Sequence, residues 1–255
     1  MLSIEDVKKI AKLKGISNLG NAEKDYLLDI ALLSISRNTK DELVFKGGTC
    51  LSKFYRLDRF SEDLDFSVKK EIDISALIKK IISDIKAFGI DAEIKSEKKP
   101  FSSVLTTIRT KGPLYNGNPN TLSNIRVDVN LKSEVILQPV VISYNSLYPD
   151  IPTFSIPVMQ EKEIAAEKVR AILTREKARD VYDLWFLLKK GTELDLELVK
   201  EKLEYYNLKW STKKFASKLH LKESVWKSEL GPLITSVPNF REVKKLIAES
   251  IEKEK

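Results

Sequence analysis

Cysteine and histidine are almost missing from this chain of 255 residues, which has one of each, Cys50 and His220, and only two methionines. A single cysteine excludes an internal disulfide, and one cysteine with one histidine cannot furnish the ligand set of a structural zinc site. Any metal ion is therefore expected on oxygen ligands, which favours magnesium or manganese. A nucleophile and base made of Cys50 and His220 is disfavoured, because Cys50 opens an apolar helix face and reads as a small buried hydrophobe. Long hydrophobic runs are absent too: none approaches the ~20 residues that span a bilayer. The start, Met1-Leu2-Ser3-Ile4-Glu5-Asp6, lacks the basic and apolar regions of a signal peptide. The cytoplasm is the expected compartment, and no membrane is expected as a partner.

Charge, by contrast, is abundant. Forty-four Lys and Arg against 37 Asp and Glu leave a net charge of +7. That excess suits a polyanionic partner. The acidic residues are interleaved almost everywhere, however, so many of these charges read equally well as a solvated surface network of the kind thermophiles use.

Most of the chemistry sits in one segment, Lys46-Gly47-Gly48-Thr49 followed by Arg59-Phe60-Ser61-Glu62-Asp63-Leu64-Asp65-Phe66. A glycine pair opening a short helix lets backbone N–H groups come close to a phosphate, with the helix dipole favouring the anion. Thr49 adds a hydroxyl, and Lys46, Lys53, Arg56 and Arg59 add positive charge nearby. In the strand that follows, alternation sends Leu64 and Phe66 to a core and Asp63 and Asp65 together to the other face. Adjacent carboxylates repel unless a cation or proton sits between them. A phosphate cradle beside a divalent-metal site is the expectation, with Arg59 and Ser61 pointing into it.

Around this segment, helical spacing covers 4–14, 22–36 and 73–88, and Leu43-Val44-Phe45 reads as a strand. From 90 to 145 the period falls to two, with strands expected at 92–95, 104–109 and 125–131. In the last of these, Ile125, Val127, Val129 and Leu131 share one face, leaving Arg126, Asp128 and Asn130 on the other. Asp128 is thus a candidate third carboxylate, able to activate an attacking hydroxyl. A proline-marked passage, Tyr148 to Pro157, precedes about five helices from Gln160 onward, broken near Arg175, Gly191, Ser211, Gly231-Pro232 and Pro238. Two domains are expected, 1–155 with the sheet and 156–255 helical. The helix 161–174 carries Lys168 along its apolar stripe, either snorkelling from a core edge or reaching a cleft. Asp180 and Asp183 follow in the first turn of the next helix, where acidic residues also answer the dipole.

Together, the glycine and aspartate segments with Ala166-Glu167-Lys168-Val169-Arg170-Ala171 and Arg175-Glu176-Lys177-Ala178-Arg179-Asp180-Val181-Tyr182-Asp183-Leu184 resemble the AbiEii/AbiGii nucleotidyltransferase toxin family. That family resembles in turn the DNA-polymerase-β-like nucleotidyltransferase superfamily. The resemblance implies an α+β fold, with a small mixed sheet flanked by helices and a helical C-terminal domain. It also implies that Gly48 and Thr49, with Lys46, Gly47, Arg59 and Ser61 around them, contact nucleotide phosphates. By position, Asp63 and Asp65 would hold magnesium, with Asp128 matching the third carboxylate by its strand context; Lys168 would serve the triphosphate, and Asp180 would serve base, ribose or catalytic geometry. The implied activity is transfer of a nucleoside monophosphate from an NTP to a hydroxyl of tRNA or protein, in a toxin with a cognate antitoxin. The competing class is a nucleotide- or antitoxin-binding protein with weak or no catalysis. The paired aspartates argue against it, since a non-catalytic descendant has no reason to keep two repelling carboxylates together.

Overall fold

The computed structural model describes residues 1–100, 102–132 and 135–253. They form two compact units, and the chain passes between them repeatedly. One comprises 1–50, 62–133 and 139–158; the other comprises 51–61, 134–138 and 159–255. The last crossing falls between Val158 and Met159. The stretch 51–61 also belongs to the second unit, so the segment between the glycine pair and the aspartate strand leaves the sheet unit and returns.

The first unit is built on a mixed seven-stranded sheet: β1 (Leu43–Lys46), β2 (Asp63–Val68), β3 (Asp91–Lys98), β4 (Ser103–Lys111), β5 (Ser123–Asn130), β6 (Val140–Tyr144) and β7 (Phe154–Val158). Their spatial order is β3-β4-β5-β2-β1-β7-β6. β1 runs antiparallel to β2, and β2 runs parallel to β5. The helices are α1 (Ile4–Leu13), α2 (Leu19–Asn38) and α4 (Ile74–Ala87), with α3 (Gly47–Phe54) starting in this unit. In α2, residues Leu27 to Leu32 are all buried, Asp29 included, as expected of a helix closed in on every side. Leu64, Phe66, Ile125, Val127 and Val129 are buried on the apolar face of β2 and β5.

β6 and β7 were not expected as strands. β7 carries Pro157, which has no N–H to give a ladder, and that proline hid it in the sequence. It pairs antiparallel with β6 and meets β1 only at Phe45 and Val158.

The second unit is helical: α5 (Glu161–Thr174), α6 (Ala178–Lys190), α7 (Leu196–Glu204), α8 (Thr212–Leu221), α9 (Trp226–Leu230) and α10 (Phe240–Lys253). α5 packs against α6, α7 and α8, and α10 against α6. Gly191, at φ 98°, ends α6 in the left-handed conformation that glycine alone adopts without cost. Lys202 of α7 is buried and pairs with Glu163 of α5 at 2.6 Å. The same Glu163 accepts the backbone N–H groups of Ile136 and Leu137, fastening the crossing strand of chain to α5. Among the described residues no helix is long and apolar enough to cross a membrane.

Candidate active site

In the first unit, strand register assembles the expected carboxylates. Asp65 stands directly across from Asp128 on β5 and from Lys46 on β1. Asp63, two residues before Asp65, shares its face and stands across from Arg126. The sequence alternation therefore places Lys46, Asp63, Asp65, Arg126 and Asp128 on one side of three adjacent strands, opposite the apolar core.

α3 begins where β1 ends. Gly47 has a φ of 78°, and a side chain there would run into the Asp65 carboxylate. Glycine is thus required twice over: for the turn into the helix, and for the close approach of Asp65 to the helix start. Thr49 lies one turn into α3 and is buried.

Several polar atoms on this face lack a partner. Thr49 Oγ1, Asp63 Oδ1, Ser67 Oγ and Asn124 Oδ1 are buried and make no hydrogen bond among the described residues. A buried acceptor or hydroxyl without a partner costs about 1–3 kcal/mol, and such atoms cluster where a ligand completes them. Arg126 faces Asp63, its Nε standing 3.6 Å from Oδ1, beyond hydrogen-bond range. Burial pushes the Asp128 carboxyl up from its ordinary value. Lys46, the Ser103 hydroxyl and Arg126 pull it back only in part, and Asp63 adds to the rise. Among the described residues no three carboxylates, thiolates or imidazoles stand close enough to enclose a metal ion by themselves.

The second unit assembles a separate ionic cluster. Lys168, buried on α5, places Nζ 3.2 Å from Asp180 and 2.7 Å from Asp183, both fully buried on α6. Arg59 comes from the 51–61 stretch and grips Asp183 with two nitrogens, Nε at 2.5 Å and Nη2 at 2.7 Å, while Nη1 donates to the Phe60 carbonyl. Arg175 grips Asp180 in the same bidentate manner, at 2.6 and 2.7 Å. Three cations thus surround two carboxylates. Burial alone would raise both acids; Lys168 with Arg175 reverses this for Asp180, and Arg59 with Lys168 for Asp183, so both sit below the usual carboxylate range. Nearby, Tyr182 donates to Asp58 at 2.6 Å.

Of the residues singled out in the sequence, Lys46, Gly47, Gly48, Thr49, Asp63, Asp65 and Asp128 lie in the first unit, and Arg59, Ser61, Lys168 and Asp180 in the second. Arg59 differs from the expectation: its guanidinium is turned to Asp183 and the Phe60 carbonyl, which leaves it positioning the chain rather than offering a free fork to a phosphate. Ser61 is half-buried in the same stretch. Asp183 holds the cluster together and was overlooked as a site residue, although its spacing of three from Asp180 placed both on one helix face. Arg126 was also overlooked; its alternation with Asp128 on β5 was the available signal.

The fold recurs in solved structures. A putative nucleotidyltransferase from H. pylori matches with a TM-score of 0.63 and 23% identity, over 91% of this chain and 92% of that one. JHP933 from Helicobacter pylori matches at 0.60 and 22%, over 92% and 91%. MenT4, a nucleotidyltransferase toxin from Mycobacterium tuberculosis, matches at 0.65 and 20%, over 98% and 88%. No curated protein matches the chain. The model of the family described as nucleotidyl transferase AbiEii toxin, type IV toxin–antitoxin system, matches residues 31–247, which takes in both groups of polar residues, and the chain belongs to that family of nucleotidyltransferase toxins.

Proposed function

We propose that this nucleotidyltransferase transfers a nucleoside monophosphate from an NTP to a hydroxyl of RNA, such as a tRNA end, or of protein, with magnesium or manganese as cofactor. The observation that carries the reading is the register of β1, β2 and β5, which sets Asp63, Asp65 and Asp128 on one face, with Asp65 against the glycine start of α3. The unpartnered Thr49 Oγ1 and Asp63 Oδ1 support it as atoms awaiting a ligand.

The donor set is all oxygen, the chemistry a hard divalent cation takes, and magnesium is usually held by one or two carboxylates together with substrate phosphates. Asp63 and Asp65 are the assigned ligands, with Asp128 flanking them. A cation bound there would neutralise charge on the triphosphate and on the departing pyrophosphate. Backbone N–H groups of Gly48 and Thr49, with the Thr49 hydroxyl, orient the phosphates at the start of α3. Asp128 accepts the proton of the attacking hydroxyl, the oxygen of which forms the new bond to the α-phosphorus as pyrophosphate leaves. Lys168 is held by Asp180 and Asp183 within the helical unit. A cognate antitoxin is the expected protein partner.

The test is incubation of the purified chain with each labelled NTP and divalent cation, offered total RNA and, separately, protein. Label is expected on one acceptor class, lost with chelator and with Asp63→Asn. Cation-dependent nucleotide binding without transfer to either class would instead mark a binding protein.

A further inference from the structure

Arg126 stands across the strand pair from Asp63, and its Nε approaches the unpartnered Oδ1 to 3.6 Å. Its charge also attracts the Asp128 carboxylate. One guanidinium, half-exposed, therefore serves two of the three carboxylates assigned to the cation. It is held there by charge rather than by a hydrogen bond, so it leaves Asp63 easily.

We propose that Arg126 selects by charge what enters the site: it disfavours a free divalent cation and favours the anionic cation–nucleotide complex, so that metal and nucleotide arrive together. The inference rests on the metal and nucleotide reading above. A bare cation approaching Asp63 meets the guanidinium as a like charge in the place it must occupy. A cation already carrying a triphosphate has net negative charge, and the same guanidinium attracts it. Removing Arg126 therefore moves the two affinities in opposite directions, which loss of fold or of a ligand cannot do.

The experiment is titration calorimetry on the full chain at low ionic strength, with Mn²⁺ alone and with Mn²⁺ plus a non-hydrolysable analogue of each common NTP. Arg126→Gln keeps size and polarity at a half-exposed position, so the fold is retained, and a thermal melt checks this. Arg126→Gln is expected to bind free Mn²⁺ about tenfold more tightly and the Mn²⁺–nucleotide complex several-fold more weakly, as removal of a unit charge a few ångströms away implies. Arg126→Lys keeps the charge and is expected to stay near wild type on both measures. Equal or same-direction changes in Arg126→Gln, with Asp63→Asn abolishing Mn²⁺ binding, overturn the inference alone. Wild-type Mn²⁺ binding that survives in Asp63→Asn overturns the functional reading first and this inference with it.

Discussion

At the scale of single residues, the site trades stability for readiness. Among the described residues Thr49 buries a hydroxyl that makes no hydrogen bond, and Asp63 does the same with a carboxylate oxygen. Replacing Thr49 by valine keeps the shape and removes the unsatisfied group, so Thr49→Val is expected to match or exceed wild-type stability by up to about 1 kcal/mol while nucleotide affinity falls. Denaturant melts beside nucleotide titrations check both halves, and a clear loss of stability would mean that the hydroxyl is satisfied in the folded protein. Gly47 is the opposite case. Its positive φ and the nearness of the Asp65 carboxylate leave no room for a side chain. Gly47→Ala is expected to cost about 1–3 kcal/mol, through backbone strain and displacement of Asp65, and to abolish transfer as well. Retained activity would show that Asp65 can move without consequence.

At the scale of elements, what was legible follows from what a strand or helix makes periodic. β2 and β5 announced themselves by strict alternation, so the carboxylate face could be read before any coordinates. β6 and β7 could not, because Pro157 breaks the ladder rule and alternation near it is poor. The cluster of Arg59, Lys168, Asp180 and Asp183 was only half legible. Helical spacing put Lys168 on an apolar stripe and the two aspartates on one face, but nothing local reveals that Arg59, 124 residues before Asp183, is its partner. Burial converts that pairing into a strong requirement. Asp183→Asn leaves two buried cations short of a counter-charge and is expected to destabilise the chain by about 3–5 kcal/mol. The double variant Arg59→Met with Asp183→Leu removes the charges together and is expected to recover a large part of that loss. A double-mutant cycle of Arg59→Met, Asp183→Leu and the pair, by urea denaturation, measures the coupling, and additive losses would show that the pair is not linked.

At the scale of the whole molecule, the buried and half-buried carboxylates of the two units show opposite tendencies, beside exposed ones in the sheet unit such as Asp6 and Asp41 that are lowered. In the helical unit Asp180 and Asp183 are held below the ordinary carboxylate value. Their contribution to stability is complete above the unfolded value of about 4 and is lost as pH falls below it toward their folded values. In the sheet unit Glu23 and Asp128 are raised, chiefly by burial, so their ionised forms burden the fold at neutral pH, and that burden lifts as pH falls through their folded values. Acid therefore weakens the helical unit while it relieves part of the strain in the sheet unit. All three tryptophans, Trp185, Trp210 and Trp226, belong to the helical unit, so their fluorescence reports on it alone. Far-ultraviolet circular dichroism reports on both. At neutral pH the two signals are expected to melt close together. Between about pH 4 and pH 3 the fluorescence midpoint is expected to fall ahead of the dichroism midpoint, by an amount that shrinks in Asp183→Asn because one of the responsible protons is no longer taken up. Coincident midpoints throughout that range would mean that the units unfold as one cooperative body, with the acid response of the buried cluster shared by the entire chain.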